Sequence, residues 1–330
     1  MARIVSGIAT SHTPLLTLGA AQWIHRANID YENPKLNLSD GRLIPYADLL
    51  AEVGPRYAGE IDVASLSLKE QACNAELDKL AAALAEANPD AVVIIGDDQA
   101  ELFNGANQPA FAIYHGAIAH TIDKLQDPAT PDWLRTVRRG YMLDQVHELK
   151  CAPELALQLI TGLIDEDIDV AACDRVENPL KQGFGHAYGF VVKRLFGDRQ
   201  IPIVPVLLNT YFGPNVPSAR RCHDIGRAIR RVVESLPDDL RVTVVASGGL
   251  SHFVVDEPLD RKILAALENR DADFLRDLPR GALNSGSSEI LNWVTAAGAL
   301  EGLQVRSCEY LPLCRTPAGT GVGAGFVTWF

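Results

Sequence analysis

Three apolar runs, each ending in a polar or glycine-rich turn, constrain this chain most. Arg3–Ala9 leads into Ser11-His12-Thr13-Pro14. Ala91–Gly96 (AVVIIG) leads into Asp97-Asp98-Gln99. Leu240–Ala246 leads into Ser247-Gly248-Gly249-Leu250-Ser251-His252. Short Val- and Ile-rich runs bounded by such turns are the pattern of buried strands. Ile168–Cys173, Ile201–Leu208 and Gly323–Phe330 read as further strands. Helical periodicity falls between them, at Ser67–Asn88, Ala152–Asp165, Gly189–Phe196, Ala219–Ser235 and Ser288–Ala299. This alternation predicts an α/β fold: one large domain over residues 1–330, with a mixed central sheet flanked by helices. Two stretches stand apart. Gln22–Glu60 is polar and rich in Asn, Asp, Tyr and Pro, and is expected to be a lid-like excursion. Asp260–Pro279 is charged and reads as a solvated helical face.

Composition narrows the partners. A net charge of -12 and a pI near 5.1 disfavour nucleic acid and anionic membrane. No segment has the length of a membrane span, and the N-terminus lacks the apolar core of a signal peptide. Six cysteines without a CxxC pair argue against a disulfide framework. A reducing cytoplasm is the expected compartment.

In open α/β sheets, ligands gather where strands end and helices begin. His12 sits there, on a turn shaped by Pro14, although a capping or surface histidine fits the same pattern. Asp97 and Asp98 follow a buried strand; adjacent carboxylates repel, so one turns away or pairs with a cation. An N-cap or a plain turn is the competing reading. Gln99 would be a weak metal ligand. His186, between Gly185 and Ala187, precedes a helix. His252 follows a glycine pair that lets backbone and substrate come close. Imidazole titrates near neutrality and suits acid–base work. Glu289 opens a helix, where the helix dipole alone would favour it. His25, His120 and His147 lack comparable context. His223 lies in a basic helix and is expected at the surface. His115 follows the strand-like Phe111–Tyr114 and is held as an outsider for the cleft. Two or three histidines and a glutamate converging on one ion would be the ligand chemistry of a non-heme Fe(II) site.

Taken in order, these motifs carry a resemblance. From Arg3 to about Ala299 the chain resembles the class III extradiol ring-cleavage dioxygenases, typified by the catalytic subunit of protocatechuate 4,5-dioxygenase. The matching residues are Ser11-His12-Thr13-Pro14, Asp98-Gln99 with Phe103, Gly185-His186, Pro217–Arg221, Ser247–His252, and Ser285-Gly286-Ser287 before Glu289 and Trp293. The resemblance implies Fe(II) as cofactor, with His12 and Glu289 as ligands. It implies His252 as the acid–base histidine and His186 as a second histidine contacting substrate. It also implies a small dihydroxylated aromatic substrate, O2, and a homo-oligomer such as a dimer, or assembly with a small helical partner. The pattern departs at one point. The second histidine ligand of the family falls on Gln99, a neutral amide oxygen and a weaker donor. Gln99 or Asp98 completes an altered site, another histidine such as His115 swings in, or the cleft binds iron poorly and does other chemistry. Two further readings follow from that departure: a metal-independent or differently metallated lyase or hydrolase of an aromatic compound, and a non-catalytic subunit.

Overall fold

The computed structural model describes residues 1–330. The elements run β1 (Arg3–Thr10), α1 (Ile24–Tyr31), β2 (Leu36–Asn37), β3 (Leu43–Ile44), α2 (Tyr46–Val53), α3 (Val63–Ala87), β4 (Ala91–Asp97), β5 (Phe111–Tyr114), β6 (Ile118–His120), α4 (Asp132–Gly140) and β7 (Glu148–Lys150). They continue through α5 (Pro153–Asp165), β8 (Ala171–Cys173), α6 (His186–Val191), β9 (Ile203–Leu208), α7 (Ala219–Ser235), β10 (Arg241–Ser247), α8 (Glu257–Asn269), α9 (Ala272–Arg276), α10 (Ile290–Ala299), β11 (Val305–Cys314) and β12 (Gly321–Trp329).

The eight-stranded sheet has the order β11-β12-β1-β10-β4-β9-β5-β8. Its centre, β1, β10, β4 and β9, is parallel. β12 and β11 add an antiparallel margin beyond β1, and β5 pairs antiparallel with β9. It is the mixed α/β sheet expected. Both faces of the centre are covered, which is why β4 reads as an unbroken apolar run. Side chains alternate between the faces. Val93 and Ile95 join the core under α5, α7, α8 and α10. Val92 and Ile94 join the one built with α3 and α6.

Register places the chemistry. Thr10 lies beside Ser247, Ala246 beside Ile95, and Asp97 beside Leu208. Four neighbouring strands therefore end at one level, and the turns that follow them share one edge of the sheet.

Several expectations need correction. α3 begins at Val63 rather than Ser67 because the Asp62 carboxylate accepts from the backbone N–H of Ala64 and Ser65, each at 3.0 Å. The strand predicted from Ile168 is confined to Ala171–Cys173. Asp260–Pro279 is not one solvated helix. Arg270, at φ +55°, ends α8, and Asp260 is fully buried, accepting from Ser251 N–H (2.8 Å), Ser251 Oγ–H (2.6 Å) and Tyr310 Oη–H (2.7 Å). His223 is also buried, with its ring near Glu301 and Arg276. β11 had no counterpart in the sequence reading. The Gln22–Glu60 stretch is structured: α1, the β2–β3 hairpin and α2 pack beside the sheet edge that carries the turns.

Candidate functional site

The turns after β1, β4, β9 and β10, with the 3-10 turn Ser285–Glu289 before α10, enclose a cavity of about 350 Å³. His12, Gln99, His186, His252 and Glu289 all line it. His115 does not; it lies at the end of β5, where its N–H donates to the Cys173 carbonyl at 2.9 Å.

Of the adjacent carboxylates, Asp98 turns away and accepts from the N–H groups of Leu102 (2.8 Å) and Phe103 (3.1 Å). Burial lifts its pKa to about 6. Asp97 points into the site. One ligand atom from each of His12, Asp97, His186 and Glu289 lies within 4.8 Å of the others. The strand-end pair thus divides as its mutual repulsion requires, one carboxylate turned away and the other toward the site.

Hydrogen bonds fix the three imidazoles alike. The Ser247 hydroxyl donates to the Ala187 carbonyl (2.7 Å), so its oxygen accepts from His12 Nδ1–H at 2.9 Å. His252 Nδ1–H donates to the Leu250 carbonyl at 2.9 Å. His186 Nδ1–H donates to the Glu101 carboxylate, 3.2 Å from each oxygen, and Glu101 also holds Lys124. Every Nδ1–H is thus committed outward and every Nε2 faces inward. This is how histidines that bind metal through Nε2 are oriented.

What the Nε2 atoms face is negative. Glu289 Oε2 is 3.1 Å from His12 Nε2, and Oε1 is 3.3 Å from His252 Nε2. The first contact is close but not aligned as a hydrogen bond, which leaves His12 Nε2 buried without a partner. The Gln99 amide N–H2 donates to Asp97 Oδ2 (2.9 Å) and Glu289 Oε1 (3.1 Å), and lies 3.4 Å from His186 Nε2. Gly249 N–H donates to Glu289 Oε2 at 2.7 Å.

The charge balance follows. Burial opposes ionisation of Glu289, but His252 and His12 outweigh it and hold the carboxyl well below its usual range. Burial and the Glu289 charge push Asp97 the other way. Burial opposes the His186 cation too, yet Glu101 outweighs it and the pKa rises to about 9. His252 is raised in the same manner by Glu289. With the Nδ1–H of His186 and of His252 held outward, the proton these two rings exchange is the one on Nε2. A divalent cation displaces such protons on binding. The mixed nitrogen and carboxylate donors and the orphaned His12 Nε2 therefore fit a first-row transition metal.

The backbone of His252 is clamped from two sides. The Asn37 carboxamide, at the end of β2, donates to the His252 carbonyl and accepts from Phe253 N–H, each at 2.9 Å. Ser287 Oγ accepts from His252 N–H at 3.0 Å. A Cβ at Gly286 would lie 2.1 Å from His252 Cδ2, so only glycine admits the ring.

Other lining residues carried no sequence signal. Tyr141, after α4, donates to the His12 carbonyl and packs its ring on His186 at 5.5 Å. Tyr211, after β9, points its hydroxyl at Glu289 Oε1 (3.5 Å). Burial keeps both phenols neutral by raising them well above the usual tyrosine value. Arg26, Arg138 and Arg315 line the cavity as well.

The model of the catalytic LigB subunit of aromatic ring-opening dioxygenases matches residues 63–323. The chain belongs to this family. Gln99, His186, His252 and Glu289 fall inside the match, and His12 precedes it. The chain is 35% identical over 125 residues to a gallate dioxygenase of Pseudomonas putida, which covers 34% of this chain and 36% of that one. It is 28% identical over 184 residues to a 2,3-dihydroxyphenylpropionate/2,3-dihydroxicinnamic acid 1,2-dioxygenase of Mycobacterium ulcerans, covering 53% and 50%. A protein of that name from a Mycobacterium species is 35% identical over 100 residues. These alignments span about a third to a half of the length of the first two relatives. No helix of this LigB-family chain is long and apolar enough to cross a membrane.

Proposed function

We propose that this LigB-family protein is an Fe(II)-dependent extradiol dioxygenase that opens a catechol-type ring beside its diol. The observation that carries the proposal is the inward convergence of three Nε2 atoms on Glu289 and Asp97. His12 and Glu289 hold the iron, and Gln99 offers its amide where the family places a second histidine. Asp97 and His186 stand within reach of the same point. When bound, the metal supplies a Lewis-acidic, redox-active centre at which diol and O2 meet.

The chain's own residues do the rest. His252 Nε2, with its ring fixed by the Leu250 carbonyl and its backbone by Asn37 and Ser287, takes and returns the proton of a substrate hydroxyl. His186, oriented by Glu101, holds a second polar group of the substrate. Tyr211 stays protonated and donates. The segment 22–60 covers one side of the cavity and helps exclude water. We place the protein in the cytoplasm; its six unpaired cysteines support this.

A second reading rests on one observation. The Gln99 amide bridges Asp97 and Glu289 and so supplies part of the positive charge a cation would bring. That favours a metal-independent lyase using His186 and His252 as acid and base. Elemental analysis after anaerobic purification separates the two. Near-stoichiometric iron, lost in His12→Ala, is the expected result. Activity on an aromatic substrate without metal would establish the second reading instead. His252→Ala is expected to retain iron and to lower O2 uptake on a cleaved catechol by about 10²-fold or more. Equal uptake by variant and parent would refute that role.

A further inference from the structure

The wall of the cavity away from Glu289 carries more positive charge than its own carboxylates neutralise. Arg26, on α1, and Arg315, after β11, both line it. The acidic side chain that acts on both is Asp30. Asp30 is already engaged: Arg315 donates to it at 2.6 and 3.0 Å, and the Thr320 hydroxyl at 2.6 Å. Arg26 is left over. Its Nε is buried without a hydrogen-bond partner, and burial together with Arg315 depresses its pKa. Arg138, on α4, also lines this wall, with its guanidinium held by the Lys124 carbonyl and Thr130 Oγ1 (3.2 Å). Lys124 is neutralised by Glu101. Arg26 is half-buried, and a guanidinium whose buried Nε–H has no partner is costly unless an anion meets it; its planar fork suits a carboxylate.

Between the two ends stands Tyr141. Its hydroxyl reaches the His12 carbonyl and its ring packs on His186. Leu134, Val137 and Val322 give the cavity apolar sides. The hollow thus has a metal-competent end, a greasy middle of a size for one aromatic ring, and a cationic end.

We infer that Arg26 is a specificity-determining residue that binds a carboxylate substituent on the ring opposite the diol. The inference rests on the ring-opening reading for the diol but not for the anion. Arg26 lies outside the stretch matched by the family model, in the polar excursion, so that segment would contribute substrate choice as well as cover.

The test uses probes of two kinds. Benzoate and benzamide lack a diol, so their anaerobic binding by calorimetry does not depend on ring cleavage. The parent is expected to bind benzoate and not benzamide, and R26M to lose benzoate by about ten- to a hundredfold. R26K is expected to fall between, because it keeps the charge without the planar fork. Melting temperature is read alongside. Removing a half-buried cation that has no ion-pair partner should hold or raise it, whereas a merely structural arginine would lower it. In O2-uptake assays, the kcat/KM ratio of 3,4-dihydroxybenzoate over its methyl ester is expected to drop tenfold or more in R26M. Benzoate bound equally by parent and R26M, or a parallel fall for acid and ester, would overturn the assignment. Arg26-dependent benzoate binding without cleavage of any catechol would sink the ring-opening reading and leave the anion subsite standing.

Discussion

Ser247→Ala tests the argument that the histidines are locked with Nε2 inward. The Ser247 hydroxyl is the hydrogen-bond partner that sets the direction of the His12 ring. It donates to the Ala187 carbonyl at 2.7 Å and accepts from His12 Nδ1–H at 2.9 Å. All three groups are buried. Alanine strands one donor and one acceptor, each costing about 1–3 kcal/mol when left unpaired. With some relaxation of the imidazole, the variant should lose roughly 2–4 kcal/mol of unfolding free energy, read from urea denaturation. The second effect is more diagnostic. Freed of its partner, the His12 ring can turn, place its hydrogen on Nε2 and align it on Glu289 Oε2, which lies 3.1 Å from it in the parent. That tautomer cannot bind a metal through Nε2. Divalent-cation affinity should then fall about 10- to 100-fold, the usual effect of losing an outer-shell partner. Anaerobic titration with Fe(II) or Co(II) measures it. A variant that is destabilised as stated but binds cation as well as the parent would refute the tautomer argument while sparing the packing one.

Two other outcomes are expected. Gln99→His should raise Fe(II) affinity, since an imidazole replaces an amide now spent on Asp97 and Glu289; unchanged affinity in anaerobic titration would show that the ligand gap lies elsewhere. Glu101 is buried, which opposes its charge, but His186 and Lys124 hold its pKa at about 2. A depressed carboxyl stabilises the fold above its unfolded pKa of about 4.3 and loses that contribution as pH falls toward 2, a change on the order of 3 kcal/mol. Glu101→Gln should therefore flatten the acid limb of the stability curve between about pH 4.5 and 2; superimposable curves for variant and parent, followed by circular dichroism, would contradict the assignment.

What was legible in the sequence follows from where the residues sit. β1, β4 and β10 announce themselves because a strand covered on both faces is apolar almost throughout; the polar residues inside these runs, Ser6 of β1 and Thr243 of β10, hydrogen-bond to each other at 2.7 Å. The turns after them carry His12, Gln99 and His252, so a strand-end rule finds all three. β11 escaped because it lies near the sheet margin and is half exposed, with Arg306, Glu309 and Pro312 breaking the apolar run. His223 was misplaced because α7 is dominated by arginines, and its buried face is written in Cys222, Ile225 and Ile229 instead. Asp260 reads as solvated because its run is charged and its partners, Ser251 and Tyr310, lie outside that run. Arg26, Arg138 and Tyr141 reach the cavity from helices off the sheet edge, and no local pattern marks a residue whose importance comes from what its neighbours have already spent.

The Asn37 carboxamide joins two regions that a cut could otherwise separate. The hairpin tip at Asp40–Arg42 is exposed, yet three residues earlier the same ribbon grips the peptide on either side of His252. A protease nick at that tip would therefore loosen the proton-handling imidazole without touching it, and the hairpin cannot swing aside for an entering molecule while His252 stays in place.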